Sequence, residues 1–327
     1  MSSQEPYTLH QASPMAYLVL LVGVLAVSTA SIFIRFAQSE VPSLVIATYR
    51  MALAGLLLAP AALWRGKQAQ TSLEPAEKRQ VLLAGVLLAF HFASWIASLE
   101  LTSVVNSVVL VTTAPLWVAA ASPVLLKEPV SGNAFIGLGL ALVGGVLVGL
   151  SSICSITAGG FGCQEMGDFF QGKAALGNLL ALMGAWFSAG YLVVGRRVRK
   201  KLHLMTYTFR VYGMAGLTLL VVTLFFGLVL NASSGTNVAE LLFDYSPISF
   251  VWMILLALIP QLVGHTAFNW SLAYLPAAFV SVALLGEPVG STILAILFLH
   301  ESPTLLQFIG AGFILAGILL ASRQTAE

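Results

Sequence analysis

Long apolar stretches separated by short polar breaks fill the chain from about residue 15 to residue 322. Each stretch has roughly 20 residues, the length that an α-helix needs to cross the hydrocarbon core of a bilayer. None alternates over about 10 residues as a transmembrane β-strand does. The pattern predicts an all-α polytopic membrane protein with ten transmembrane helices. The expected spans are 15–37, 43–64, 79–100, 104–126, 131–151, 173–195, 203–229, 249–272, 275–298 and 303–322.

The composition agrees with this pattern, because 58% of the residues are hydrophobic and only 9% are charged. Soluble proteins carry about 25% charged residues. The basic residues do not gather on a polar domain, so we expect the lipid bilayer and no nucleic acid as a partner. The first 14 residues contain no Lys or Arg, and a long apolar run follows them. We therefore expect the first helix to be retained and not cleaved as a signal peptide.

The basic residues predict the orientation, because cytoplasmic loops are enriched in Lys and Arg. With the N-terminus in the cytoplasm, most of the 15 basic residues fall on the cytoplasmic side, and so does the C-terminus. These residues are Arg65, Lys67, Lys78, Arg79, Lys127, Arg196, Arg197, Arg199, Lys200, Lys201 and Arg323. The "RRVRKK" run at 196–201 is interpreted as a topology signal alone. The expected location is the inner (plasma) membrane.

The two cysteines, Cys154 and Cys163, then lie in an outer loop. That side of a bacterial cell is oxidising, so the pair is a candidate disulfide. Two free thiols are the alternative.

The second half of the chain repeats the first. At an offset of 173, Pro288 matches Pro115 and Glu301 matches Glu128. At the same offset, Gly310, Gly312 and Gly317 match Gly137, Gly139 and Gly144; at an offset of 160, Arg210 matches Arg50. The expected units are 15–151 and 173–323, joined by an outer loop at 152–172. Because each unit has an odd number of helices, the second is inverted, an arrangement typical of transporters that open to the two sides in turn.

Two segments carry a family resemblance: "TTAPLWVAAASPVLLKEPVSGNAFIGLGLALVGGVLV" and "LLGEPVGSTILAILFLHESPTLLQFIGAGFILAGILL". Both resemble the EamA repeat of the drug/metabolite transporter superfamily, with a proline, an aliphatic run, a loop Glu and a Gly-rich final helix. The resemblance implies a ten-helix inner-membrane carrier without cofactor, typically an exporter of amino acids, metabolites or toxic compounds, coupled to protons. The chain departs from relatives at His300, and its first helix lacks the membrane Glu of the four-helix multidrug relatives.

Glu287 is the one ionisable residue in the otherwise apolar stretch 275–299. A carboxylate at that depth is expected to handle protons or to hold a cationic group. A structural hydrogen bond to a neighbouring helix is the alternative. The proline after it, Pro288, mirrors Pro115, whereas Glu287 corresponds to Ala114 and belongs to one half only.

Other polar residues fall inside the predicted spans. Gln261, His265 and Asn269 are spaced i, i+4, i+8 over about 12 Å of helix, and they are expected to line a cavity or else to join helices. His91 precedes Trp95 by one turn, a pair that could receive a ring or a cation. Arg50 could bind a substrate carboxylate, or its side chain could extend to the membrane interface. Candidate hinges are Pro115, Pro260 and Pro288.

The expected function is therefore a secondary active transporter, an exporter of amino-acid-like or amphipathic metabolites that works by alternating access. A membrane enzyme is the alternative, but the predicted spans contain no Asp and no paired catalytic set or metal ligands. A receptor or scaffold would carry a larger soluble domain. The sequence does not specify the substrate or the oligomeric state.

Overall fold

The computed structural model describes residues 14–68, 74–102, 107, 110–150, 154–157, 160–163, 172–230, 237–287, 289–291, 293–294 and 304–322. The first half of this part is helical. Its helices are α1 (Pro14–Val27), α2 (Ala30–Ala37), α3 (Ser43–Gln68), α4 (Pro75–Leu101), α5 (Ala114–Ala121) and α6 (Gly132–Leu150), with a π-helical segment at Ser122–Leu126.

The second half has the same character. Its helices are α7 (Gly172–Arg199), α8 (Leu204–Leu230), α9 (Val238–Phe243), α10 (Pro247–Leu256), α11 (Thr266–Ser271), α12 (Ala277–Ala283) and α13 (Leu305–Ser322). A π-helical segment, Ala257–His265, joins α10 to α11, and a 3-10 turn, Leu284–Gly286, follows α12.

Six helices of the described part are long and apolar enough to cross a membrane. They are Pro14–Ala37, Ser43–Trp64, Pro75–Leu101, Ala175–Arg199, Leu204–Gly227 and Pro247–Ser271. Four shorter apolar helices, Ala114–Leu126, Gly132–Leu147, Ala277–Ser291 and Phe308–Ala321, lie where the remaining spans were predicted. The prediction of a multi-pass helical membrane protein is confirmed, and the number of ten spans stays a prediction.

The loop between the halves holds a two-stranded antiparallel ribbon, β1 (Cys154–Thr157) and β2 (Gly160–Cys163), which the all-α prediction did not include. The register places the backbone of Cys154 directly opposite that of Cys163. Their side chains lie outside the described part, so the disulfide stays a prediction.

The most extensive helix contacts join the two halves: α4 packs on α7, α6 on α13, and α3 on α8. At the α6–α13 crossing, the repeated glycines of each helix lie against the backbone of the other helix. A Cβ on Gly137 would meet the carbonyl of Gly317, and a Cβ on Gly144 would lie 2.5 Å from that of Gly310. The pairing order shows that the two helices are antiparallel, as corresponding helices of inverted repeats must be.

Three predicted spans lose regular α geometry near their middle, besides the one that turns at Thr112 and Thr113 before α5. The first breaks at Ser28 and Thr29, between α1 and α2. Another becomes π-helical around Pro260, which cannot donate a backbone hydrogen bond. A third tightens into the 3-10 turn just before Glu287. Interrupted helices supply the binding sites of many secondary transporters.

Candidate substrate site

Arg50 lies on α3 inside the bundle and is only 1% exposed. Its Nε donates to the side-chain oxygen of Gln261 at 2.9 Å, and its guanidinium carbon lies 4.1 Å from the ring centre of Phe92. The side chain therefore points into the bundle and does not extend to the membrane interface. Its counterpart in the second half, Arg210, is exposed.

Three of the buried donors that have no hydrogen-bond partner among the described residues are Nη1 of Arg50, Nε2 of Gln261, which bonds Arg50, and Nε1 of Trp95, one turn after Phe92 on α4. Leaving such groups unpaired costs about 1–3 kcal/mol each, and more for a charged group. A cluster of unpaired donors that includes a cation suits an anionic or carbonyl ligand.

Two histidines flank Phe92, which lies against the guanidinium. The carbonyl of Gly184 accepts a hydrogen bond from Nδ1 of His91 at 2.9 Å, so the proton of a neutral His91 sits on Nδ1. His91 stacks on Trp95, with ring centres 6.0 Å apart and planes within 9°. His265 meets the Phe92 ring edge to face at 5.3 Å, and its Nδ1 has no partner in the described part.

Glu287 follows the 3-10 turn and is partly exposed. The hydroxyl of Ser28, at the break in the first span, donates to the backbone carbonyl of Glu287 at 3.2 Å. Electrostatic interaction links the carboxylate of Glu287 to Arg50. Neither residue belongs to the three ion pairs within 4.0 Å that the described residues form, so a gap separates the two charges.

Asn269 lies apart from this cluster. Its side-chain oxygen accepts from Tyr191 at 2.5 Å, and its side-chain nitrogen donates to the hydroxyl of Tyr212 at 3.2 Å. The three polar residues spaced i, i+4, i+8 therefore do not share one environment. Gln261 and His265 contact Arg50 and Phe92, whereas Asn269 joins helices. A role for Asn269 in substrate binding stays a prediction.

The proline predictions fare differently. Pro260 lies within the π-helical segment, and Pro115 lies in the first turn of α5, directly after a turn at Thr112 and Thr113. Pro115 thus lies at the start of α5, after the turn that separates α5 from the helical residues 110 and 111. Pro288 lies outside the described residues. Hinge motion at any of the three stays a prediction.

The basic run at 196–201, interpreted from the sequence as a topology signal alone, also makes buried hydrogen bonds and a salt bridge. Arg196 is 2% exposed; its Nε pairs with Oε1 of Glu128 at 2.8 Å, and its Nη1 donates to the carbonyl of Leu272 at 2.8 Å. Arg199 donates to the carbonyls of Asn269 and Leu202. Sequence reasoning identified Glu128 as the loop Glu of the repeat and missed its buried salt-bridge partner, Arg196.

Sequence reasoning also missed three buried aromatic residues: Phe92, Tyr191 and Tyr212. They look like ordinary apolar residues of a span, and only their contacts with Arg50 and Asn269 distinguish them. Among the described residues, no group of three His, Cys, Asp or Glu side chains could hold a metal ion.

Comparison with known proteins places this arrangement in a family. The model of the EamA-like transporter family matches residues 14–150 and again 175–323. The chain belongs to the EamA-like transporter family. The two matches fall on the two halves that the repeated residues define, and the family makes this multi-pass protein a membrane transporter.

Individual relatives agree with the family assignment. An uncharacterized transporter of Archaeoglobus fulgidus is 27% identical over 241 residues, which cover 73% of this chain and 75% of that protein. A second uncharacterized transporter of that organism is 22% identical over 94% of this chain and 97% of its own length. A crystal structure shares the fold, with a TM-score of 0.68 at 20% identity over 94% of this chain and 96% of that one.

Proposed function

We propose that this protein is a secondary active transporter that exports small amino-acid-like metabolites by alternating access, with protons as the coupling ion. The observation that carries the proposal is the pair of separated opposite charges: Arg50 bonds the π-helical segment through Gln261, and Glu287 follows the 3-10 turn. Arg50 offers an unpaired Nη1, and Glu287, a partly exposed residue, offers a carboxylate. An α-amino acid carries the complementary pair, with a carboxylate for Arg50 and an ammonium group for Glu287.

The surrounding side chains fit the rest of such a ligand. The stacked rings of His91 and Trp95 offer an apolar surface to a side chain, and Nε1 of Trp95 is unpaired. Gln261 holds one edge of the guanidinium, which fixes the direction of the remaining donors.

Glu287 has a second role in this proposal. A carboxyl group that binds either a proton or the ammonium group of the substrate exchanges one for the other, which couples export to proton entry. The units proposed to move are residues 15–151 and 173–323, joined by the 152–172 loop. The proposed placement is the inner (plasma) membrane with both termini in the cytoplasm, as the basic residues indicate.

The test combines ligand binding with transport. A thermal-shift screen of the purified protein against L-amino acids and their amides should find amino acids that stabilise it and amides that do not, because stabilisation follows occupancy. Arg50→Gln should weaken binding of those amino acids by about 10- to 150-fold, since a hydrogen bond to a charged group contributes about 1.5–3 kcal/mol. In proteoliposomes, Glu287→Gln should abolish the dependence of transport on a pH gradient.

Arg210→Gln is the matched control, because Arg210 is the corresponding residue of the second half and is exposed. Equal loss of binding in both arginine variants would contradict the assignment of the carboxylate to Arg50. Normal pH-driven transport by Glu287→Gln would contradict the proton role while leaving the binding site intact.

A further inference from the structure

An apolar surface groove lies between α5, with the π-helical segment after it, and α7. It has a volume of about 380 Å³ and is lined by Trp117, Ala121, Leu125, Trp186, Ala189, Gly190, Val193 and Val194. Three of the lining residues, Ala121, Ala189 and Gly190, are small. Every lining side chain is apolar apart from the indole nitrogens.

Two tryptophans form one end of the groove. Trp117 and Trp186 meet edge to face, with ring centres 5.6 Å apart and planes at 88°. They are 40% and 43% exposed, and Nε1 of Trp117 donates to Thr113 at 3.3 Å. Because the nitrogen of Trp117 is hydrogen-bonded to the residue just before α5, the ring of Trp117 presents mainly apolar surface to the groove.

The other end carries unused positive charge. Arg197 is exposed, and its Nη2 donates to the carbonyl of Leu125, the last lining residue at this end. Lys127 follows two residues later, exposed and with a left-handed backbone (φ 57°). Neither belongs to the three ion pairs of the described residues, whereas Arg196 and Lys200 share Glu128.

The dimensions suit one acyl chain. Eight residues separate Trp117 from Leu125, which is roughly 12 Å of helix. Half of the hydrocarbon core of a bilayer is about 15 Å thick. A chain lying in the groove would thus reach from the headgroup level almost to the midplane, with its end at the tryptophans.

We propose that this groove binds an anionic phospholipid, with one acyl chain between α5 and α7 and the phosphate on Arg197 and Lys127. A guanidinium has five N–H donors and Arg197 uses one, so a bidentate contact with phosphate remains open. The basic end lies where the orientation proposed above places the cytoplasmic leaflet, in which anionic lipids bind clusters of Lys and Arg.

The test uses the full-length protein in detergent and native mass spectrometry. Phosphatidylglycerol should bind more tightly than phosphatidylcholine with the same acyl chains. Arg197→Gln should weaken phosphatidylglycerol binding about fivefold, as expected for one basic residue at a membrane surface. Arg210→Gln, which removes an exposed arginine outside the groove, should have no effect. Equal binding of the two lipids, or equal effects of the two substitutions, would overturn the proposal.

The acyl-chain contact is tested separately, so that free phosphate or glycerol phosphate can be distinguished from the lipid. Phosphatidylglycerol with brominated chains should quench tryptophan fluorescence, and Trp186→Phe should remove part of the quenching. Glycerol phosphate should not compete. Unchanged quenching in Trp186→Phe, or full competition by glycerol phosphate, would show that the chain does not occupy the groove. Neither lipid-binding measurement depends on transport, so failure of the lipid proposal can be distinguished from failure of the proposed substrate site.

Discussion

Arg50 and Arg210 occupy corresponding positions of the two repeats, yet their surroundings differ completely. Arg50 is buried against Phe92 and Gln261, whereas Arg210 is exposed. Corresponding residues of the two repeats therefore need not have the same surroundings or form the same kind of site. The residue that we propose to bind substrate is the one whose neighbours in other helices leave donors without a partner.

Asn269 supplies a first prediction at the residue scale. Asn269→Ala should lower the free energy of unfolding by about 1–3 kcal/mol, because it leaves the buried hydroxyl of Tyr191 without its acceptor. Thermal unfolding in detergent measures the change. Ser39→Ala, which removes one local hydrogen bond at an exposed position, should have little effect. Equal melting temperatures of wild type and Asn269→Ala would contradict this role.

Glu40 supplies a second residue-scale prediction, in a loop outside the spans. Hydrogen bonds from the side chains of Ser246 and Ser249 and from the backbone of Ser246 lower the pKa of the Glu40 carboxyl below its ordinary value of 4.5. Because the folded pKa is the lower one, the stabilisation is present above the unfolded pKa and disappears as the pH falls through the folded pKa.

Glu40→Gln should therefore melt below the wild type at pH 7, and the difference should shrink below about pH 4.5. Thermal unfolding of the wild type and of Glu40→Gln between pH 3 and pH 8 measures this difference in melting temperature at each pH. A difference that grows toward low pH would contradict the sign of this linkage.

At the scale of elements, the α6–α13 crossing depends on glycines whose backbones approach each other closely, Gly137 with Gly317 and Gly144 with Gly310. Gly137→Ala should destabilise the fold by about 1–3 kcal/mol, because its Cβ would lie 2.5 Å from the carbonyl oxygen of Gly317 and 2.8 Å from the backbone nitrogen of Ala321. Gly139 is the matched control on the same helix, since no atom lies within 4 Å of its added Cβ. Equal melting temperatures for the two variants would contradict the close approach.

At the scale of the whole molecule, Glu128 and Arg196 tie the two halves together. Glu128→Gln should destabilise the protein by about 3 kcal/mol, because it leaves Arg196, only 2% exposed, without its anionic partner. Lys201→Gln should cost less than about 1 kcal/mol, since the side chain of Lys201 is 67% exposed where it pairs with Glu77. The melting temperatures of the two variants give the comparison, and a larger loss in Lys201→Gln would contradict the prediction.

Some of this organisation was predictable from the sequence and some was not. Spans depend on length and apolar composition, so those that the structure identifies fall close to the predicted ranges. The repeat identified the glycines of the α6–α13 crossing, because corresponding residues recur at a fixed offset. The break at Ser28 and the π-helical segment left weaker signals, a Ser-Thr pair and a single proline.

The partners of the buried polar groups could not be read from the sequence. Arg50 and Gln261 are 211 residues apart, and Asn269 looked equivalent to Gln261 on a helical repeat. Tertiary packing decided that one amide faces the arginine and the other faces two tyrosines. The "RRVRKK" run was interpreted from charge alone, so its hydrogen bonds to backbone carbonyls went unseen.

The separation of Arg50 from Gln261 has a consequence for biosynthesis. The ribosome makes Arg50 211 residues before its hydrogen-bond acceptor. At about 5–20 residues per second, the delay is roughly 10–40 s. During that time α3 lies in the membrane with a charged side chain that its eventual neighbour cannot yet reach, at an insertion cost of about 2.5–3.5 kcal/mol. Assembly of the bundle around Arg50 therefore waits for the later half of the chain.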